Sequence, residues 1–310
     1  MNFIYKLYFF LPNFSNLGFI GKAINKGLEL SLIFILNLIV PFYFIHISKR
    51  RYSGLNVEKR EKKYIVSLTS FPARINKIWI VVECLLRQSY KADKIILWLA
   101  DEQFPERCLP ESLTNLQSRG LIILFCDDIK SHKKYFYTML EHPNDIIITV
   151  DDDVFYPKNI LRDLIDIHKK YPNAIASHFA HKITFDEHDN INPYKKWMHK
   201  CKDIKEPSFF LSQVGVGGVL YPPNILCKDA FNKKLLLKLC PRADDIWLKA
   251  MSYIDGNAVV TSTRYNKQLA IVSNTQSESL VSTNSKKGEN DIAIKNIMDF
   301  YGISFKEYRS

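Results

Sequence analysis

Three adjacent aspartates, Asp151, Asp152 and Asp153, follow directly on the apolar run Ile146–Val150, and Pro157 closes the stretch. An apolar, β-branched run of this length reads as a strand buried on both faces. In open parallel sheets, ligands bind beyond the carboxyl ends of the strands. Three carboxylates at such a place repel one another and call for a cation. On an extended backbone Asp151 and Asp153 point one way and Asp152 the other. Two hard oxygen donors at i and i+2 suit Mg2+ or Mn2+ shared with a substrate diphosphate. The competing reading is a solvated acidic turn.

Two further motifs lie downstream. In Gly215-Val-Gly-Gly218-Val-Leu-Tyr-Pro-Pro223, the residues Gly215, Gly217 and Gly218 let backbone come close either to a ligand or to neighbouring chain. In Pro241-Arg-Ala-Asp244-Asp245-Ile-Trp, two aspartates open a helix. There they cap it, or one caps while the other serves as a general base. Both carboxyls are expected to stay ionised beside the helix N-terminus. Upstream, Thr69–Arg74 ends a first strand, and Asp127-Asp128 ends a third, with Lys133-Lys134-Tyr135 after it. Asp127 or Asp128 could accept from a base or ribose hydroxyl, and Arg74 or Lys134 could face phosphates. His178 and His181, three apart on a strand, read as structural rather than as a metal pair.

These residues need a frame that brings them to one edge. From Tyr64 onward short apolar runs alternate with amphipathic stretches. Strands are expected at Tyr64–Leu68, Lys94–Leu99, Leu121–Cys126, Ile146–Val150 and near Ala174–Phe179. Helices are expected at Ile75–Gln88, Leu109–Arg119, about Ser131–Glu141, Ile160–Tyr171, Ala243–Ser252 and near Asp291–Tyr301. Strand-helix-strand repetition implies an α/β domain with a mainly parallel sheet and flanking helices. Residues 185–207 are polar and without period, the mark of a functional loop or lid.

The chain has 310 residues, 47% of them hydrophobic, which excludes disordered and low-complexity classes. Six scattered cysteines with no C-x-x-C pair argue against a disulfide scaffold and against structural zinc. The formal net charge is +11, and residues 48–63 alone hold seven basic and two acidic side chains. Just before them, Leu30–Ile47 contains no Asp, Glu, Lys or Arg. Eighteen helical residues reach about 27 Å, against a hydrocarbon core of about 30 Å. Asn37 and Pro41 weaken a spanning reading, and a re-entrant or interfacial helix and a buried core helix are the others. The basic flank places the rest of the chain on the cytoplasmic face of the membrane. The division expected is 1–47 as an N-terminal hydrophobic, membrane-associated segment, 48–63 as a basic linker and 64–310 as the globular domain.

Taken together and in order, Ser67–Pro72 with Arg74, Ile96–Leu99, Lys134-Tyr135, Thr149–Pro157, Gly215–Pro223 and Ala243–Trp247 resemble the GT-A glycosyltransferases. More closely, they resemble the bacterial surface-polysaccharide glycosyltransferases. The resemblance covers about Tyr64 to Ser285. It implies a GT-A fold and a metal-dependent enzyme that moves a sugar from a UDP- or GDP-sugar to a glycan or lipid-linked glycan acceptor. It implies Mn2+ or Mg2+ at Asp151 and Asp153, with Asp152 beside them. Thr69, Phe71 and Arg74 would line the nucleotide site with Asp127, Asp128, Lys134, Gly217 and Gly218. Asp245, or its neighbour Asp244, would be the base. One departure stands: many GT-A enzymes take a further metal ligand, often His, from near the C-terminus, and no His follows His199. Asn274, Asn290, Asp291 or water would fill that place.

Three other readings compete. A sugar-nucleotide nucleotidyltransferase would share the strand order and the acidic site but is expected to carry a glycine-rich loop after the first strand, and Thr69–Arg74 has no glycine. An Asp-nucleophile phosphatase expects Thr or Val where Phe155 stands. A non-catalytic membrane-surface or nucleic-acid-binding protein explains residues 48–63 but not the aspartates, and no nucleic-acid partner is expected.

Overall fold

The computed structural model describes residues 7–12, 14–47, 53–262, 264–265, 267–275 and 288–306. The four apolar runs read from the sequence form β1 (Tyr64–Thr69), β2 (Lys94–Ala100), β3 (Leu121–Cys126) and β4 (Ile146–Thr149), all mutually parallel. After them come β5 (Ile175–Ser177), β6 (Ala180–Lys182), β7 (Leu211–Gln213), β8 (Val219–Tyr221) and β9 (Val259–Thr261). The main sheet has seven strands in the order β3-β2-β1-β4-β8-β5-β9, with β8 antiparallel to both neighbours. β6 and β7 pair separately as an antiparallel ribbon. The mixed, mainly parallel sheet agrees with the sequence expectation.

Helices cover both faces. They are α1 (Gly18–Ile47), α2 (Ile78–Leu86), α3 (Glu111–Thr114), α4 (Lys133–Glu141), α5 (Ile160–Lys170), α6 (Lys233–Leu239), α7 (Asp244–Ile254) and α8 (Glu289–Tyr301). Alternation on β1 divides the core: Val66 and Leu68 face the layer of α1, α2 and α5, while Ile65 joins Ile96, Trp98 and Ile147 on the other face. A second large core gathers α4, α6, α7 and α8 around Trp247 and Met251. Leu109–Arg119, expected as one helix, is four residues of α-helix from Glu111 followed by a 3-10 turn that ends at Gly120 with φ +113°.

Three segments outside the strand-helix alternation are also fixed on the domain. Residues 53–63 are fixed along the domain: Gly54 N donates to Arg119 O at 2.9 Å, and Arg60 pairs with Asp93 at 3.0 Å. Residues 185–207 are a packed insertion, not an open loop. Its Trp197 is buried with Nε1 donating to Asn192 O at 2.9 Å, and isolated bridges join Phe185 to Ile191 and Lys182 to Met198. Apolar side chains spaced without period, such as Ile191 and Trp197, hid this packing. Finally, α1 is docked on the domain through Leu32, Leu36, Val40 and Phe44, and Pro41 does not interrupt it.

Candidate functional site

Parallel β1 and β4 are neighbours, so their carboxyl ends bring Ser70–Arg74 beside Asp151–Asp153. The Arg74 guanidinium pairs with Asp152 at 2.5 Å and with Asp153 at 3.1 Å, and Ser70 Oγ donates to Asp152 Oδ2 at 2.5 Å. Burial raises the Asp152 carboxyl, and Arg74 and Ser70 oppose that rise. Arg74 also lies over the Phe71 ring, 5.2 Å from its centroid, while Thr69 Oγ1 is turned to Trp98 O at 2.8 Å.

Asp151 goes elsewhere. Its Oδ1 accepts from Lys134 Nζ at 2.8 Å, and the same ammonium pairs with Asp244 at 2.8 Å. Lys134 comes from the first turn of α4 and Asp244 from the start of α7, so one cation ties both helices to the end of β4. Burial alone would lower the lysine; the Asp151, Asp244 and Asp245 carboxylates outweigh it and hold it charged. The expected alternation, Asp151 with Asp153 against Asp152, is therefore not what forms. β4 ends at Thr149 and the chain bends at Asp152–Asp153, so Asp152 and Asp153 share Arg74 while Asp151 meets Lys134.

Asp244 and Asp245 separate sharply. Neither caps α7, whose N-cap is Ala243 without a side-chain bond. Burial would raise Asp244, but Lys134 and His132 outweigh it and hold the carboxyl low. Asp245 is raised to about 7 by burial and by the Asp244 and Asp151 carboxylates, with Lys134 opposing. The shared low value expected from the helix N-terminus is thus corrected: close like charge and burial exceed a dipole effect of about 1 kcal/mol. Asp245 Oδ2 accepts from Gly215 N at 2.9 Å.

The three glycines also divide. A Cβ on Gly215 would lie 2.9 Å from Lys134 Nζ and 3.4 Å from Asp151 Oδ1, so this backbone closes on the charged cluster. Gly217 instead abuts the Phe179 ring, where a Cβ would come within 2.6 Å, and Gly218, at φ +87°, starts β8 beside Leu164 and Val150. Asp127 pairs with exposed Lys233, and Asp128 is gripped by Lys133 at 2.6 Å and Lys130 at 2.5 Å. Burial would raise Asp128, but these lysines bring it down to about 2. Both aspartates pair within their own strand-end loop and with Lys233, not with the Asp151–Asp153 group. His178 and His181 are buried and lowered to about 4 and about 3, chiefly by burial, in keeping with structural roles.

Several contributors take roles that the sequence did not assign them. Tyr156 OH accepts from Asp151 N at 2.8 Å and donates to Val216 O at 3.3 Å, pinning the aspartate loop to the glycine segment. Tyr194 comes near enough to Asp245 to be raised by it, after the larger effect of burial. Its backbone N–H donates to Asp291 Oδ1 at 2.6 Å, so Asp291 tethers the insertion. Among the described residues no group of three or more His, Cys, Asp or Glu is arranged to hold a metal by itself. The donor set still suits a hard cation completed by substrate. Five carboxylates (Asp151, Asp152, Asp153, Asp244 and Asp245) face two cations, Lys134 and Arg74, and all the donors are oxygen.

No family model matches the chain, and no curated protein matches it. Solved structures do. A CMP:2-keto-3-deoxy-manno-octonic acid synthetase complexed with CTP matches at 14% identity and TM-score 0.41, over 65% of this chain and 89% of that one. A 4-diphosphocytidyl-2C-methyl-D-erythritol synthase matches at 12% identity and TM-score 0.40, over 67% and 93%. HddC from Yersinia pseudotuberculosis matches at 10% identity and TM-score 0.33, over 53% and 78%. None of the three is named as a glycosyltransferase, and the sequence expectation of a glycosyltransferase with a glycan acceptor is corrected: the likeness does not carry it. The likeness is one of fold alone, and the chain's own sheet is mixed and mainly parallel.

Proposed function

We propose that the chain is a nucleotide-dependent transferase acting by nucleotidyl transfer. An oxygen of a sugar phosphate attacks the α-phosphorus of a nucleoside triphosphate. The bond from that phosphorus to the β-phosphate oxygen breaks, and pyrophosphate leaves. The observation that carries the reading is Lys134, a buried ammonium held by Asp151 and Asp244 at the carboxyl edge of the parallel strands, with Gly215 backbone against it. Transfer at phosphorus asks little covalent chemistry of a protein; it asks for positioning and for fixed charge where charge develops. Lys134 meets that demand because its two partners hold it in place before substrate arrives.

Arg74, stacked on Phe71, supplies a second fixed cation beside the first. Thr69 and Phe71 border the nucleotide, and Asp127 and Asp128 order the β3 end of the same edge. The attacking phosphate oxygen is already anionic and needs no base. Asp245 is therefore assigned to holding the Gly215 amide and tuning the charge around Lys134. Asp151 and Asp153 are paired with different cations, Lys134 and Arg74, so they would hold Mg2+ or Mn2+ only together with substrate phosphate, whose charge the metal neutralises when bound.

The test is pyrophosphate release by the full chain, with CTP, UTP, GTP and ATP, Mg2+ and a panel of sugar phosphates. Release that depends on one nucleotide and one sugar phosphate, and is lost in Lys134→Met, supports the reading. Release that persists undiminished in Lys134→Met removes its basis.

A further inference from the structure

The apolar helix α1 has two apolar faces of different fate. Leu32, Leu36, Val40 and Phe44 recur every four residues and are buried on the domain. Half a turn away, Phe34, Leu38 and Phe42 are 70%, 66% and 64% exposed, and Ile45 continues their stripe. A surface helix of a water-soluble protein puts polar residues there. A contiguous exposed apolar stripe of large side chains marks a binding surface.

The buried stripe decides how that surface is used. The apolar stretch long enough to cross a bilayer, Gly18–His46, contains the residues packed on the α/β domain. Asn37 Nδ2 donates to Ile271 O at 3.0 Å, and Asn37 Oδ1 accepts from Ser273 N at 2.7 Å. Ile271 in turn bridges to Val154, and Val272 N donates to Asp153 O at 2.8 Å. Arg87 lies over the Phe44 ring at 5.0 Å. A helix crossing the bilayer would have to carry this 271–273 segment into hydrocarbon or tear away from it. It would then expose Leu36, Val40 and Phe44 and leave the Ile271 and Ser273 backbone groups unpaired.

We propose that α1 lies in the plane of the membrane on its cytoplasmic face, its Phe34–Ile45 stripe in the acyl chains of a bilayer with anionic headgroups and its Leu32–Phe44 stripe on the domain. Charge complements the apolar stripe. Lys22 and Lys26 are exposed on the N-terminal part of α1, and beyond its end Lys59, Lys62 and Lys63 are exposed while Arg60 is taken by Asp93. Buried apolar area and electrostatic attraction to anionic lipid are the two contributions that seat an interfacial helix. Because α1 backs the segment that braces Asp153, the membrane seat and the aspartate loop share one rigid support.

The full chain is tested in two ways. In flotation with vesicles of phosphatidylcholine, alone or mixed with phosphatidylglycerol, it is expected to float with the mixture and more weakly with phosphatidylcholine alone. The exposed-face variant Phe34→Glu/Phe42→Glu should stay folded by circular dichroism and sink. In sealed inverted vesicles from cells expressing the chain, Lys22→Cys and Val57→Cys, each in a Cys108→Ser background, should both react with a membrane-impermeant maleimide before detergent is added. Labelling of only one of the two without detergent means a crossing helix and overturns the proposal. So does a folded full chain that binds neither vesicle, or a Phe34→Glu/Phe42→Glu variant that floats like the parent. Equal flotation with both lipids overturns the headgroup requirement.

Discussion

Replacing Lys134 with Met keeps the length and most of the volume of the side chain and removes its charge. Two carboxylates then lose the cation they share at 2.8 Å each. Breaking a buried ion pair from one side costs about 3–5 kcal/mol, because the other charge stays behind unpaired. Asp244 is 9% exposed and bears that cost in full, whereas Asp151, at 29%, is partly relieved by water. The lower end, about 3 kcal/mol, is the figure expected near pH 8. For a domain of this size it lowers Tm by roughly 6–12 °C. The sign with pH follows from linkage. In the parent, Asp244 is held below its ordinary value and stabilises the fold above that value. Without Lys134 the remaining carboxylates are raised, so the folded variant binds protons more tightly and recovers as the pH falls toward about 5. Thermal unfolding of the parent, Lys134→Met and Lys134→Met/Asp244→Asn at both pH values is the assay. The double variant should regain more than half of the loss near pH 8. A Lys134→Met loss that is equal at the two pH values would show that packing, not charge, sets it, and would refute the reasoning.

Asp245, raised to about 7, makes the folded parent lose stability as pH climbs from about 4 toward 7, and Asp245→Asn should flatten that decline in a Tm-against-pH series. Gly217→Ala should lower Tm, since its Cβ would sit 2.6 Å from the Phe179 ring, whereas Gly215→Ala should keep the fold and weaken nucleotide binding by calorimetry, since its Cβ would press on the Lys134 ammonium. With five carboxylates against two cations, nucleoside triphosphate affinity should fall at least ~10-fold, about 1.4 kcal/mol, when Mg2+ is replaced by EDTA; equal affinity would remove the metal from the site. Arg74→Met should cost nucleotide affinity and, by freeing Asp152 and Asp153 together, about 3 kcal/mol of stability, read by urea unfolding in mild detergent.

The strands that build the site edge were legible because β1, β2, β3 and β4 are short, mostly apolar and β-branched runs, with Ser67 the one polar residue inside them. Antiparallel β8 was only half legible: Gly215–Pro223 signals close backbone, but nothing in it says which glycine closes on the Lys134–Asp151 cluster and which meets Phe179. Asp151, Asp153, Lys134 and Arg74 were picked from residue type and position at strand ends, and the structure gathers all four. Their partnership was not legible, because alternation holds only while the strand lasts and β4 stops at Thr149. Asp244 and Asp245 show the same limit. A local rule, the helix N-terminus, gave them one fate, and a non-local cation from α4 gave them two. Asn37 read as a flaw in a hydrophobic helix; in the fold it is the polar contact that docks α1 on Ile271 and Ser273.

The central claim is transfer at the α-phosphorus beside Lys134, and the fate of the phosphates tests it most directly. The full chain is incubated with Mg2+, a sugar phosphate and the nucleoside triphosphate it binds best, labelled with 32P at either the α or the γ position. Label from the α position should appear in a sugar-linked nucleotide and label from the γ position in pyrophosphate, with both lost in Lys134→Met. Retention of the α label in free nucleotide, while a sugar moves from a preformed sugar nucleotide to an acceptor, would contradict the account.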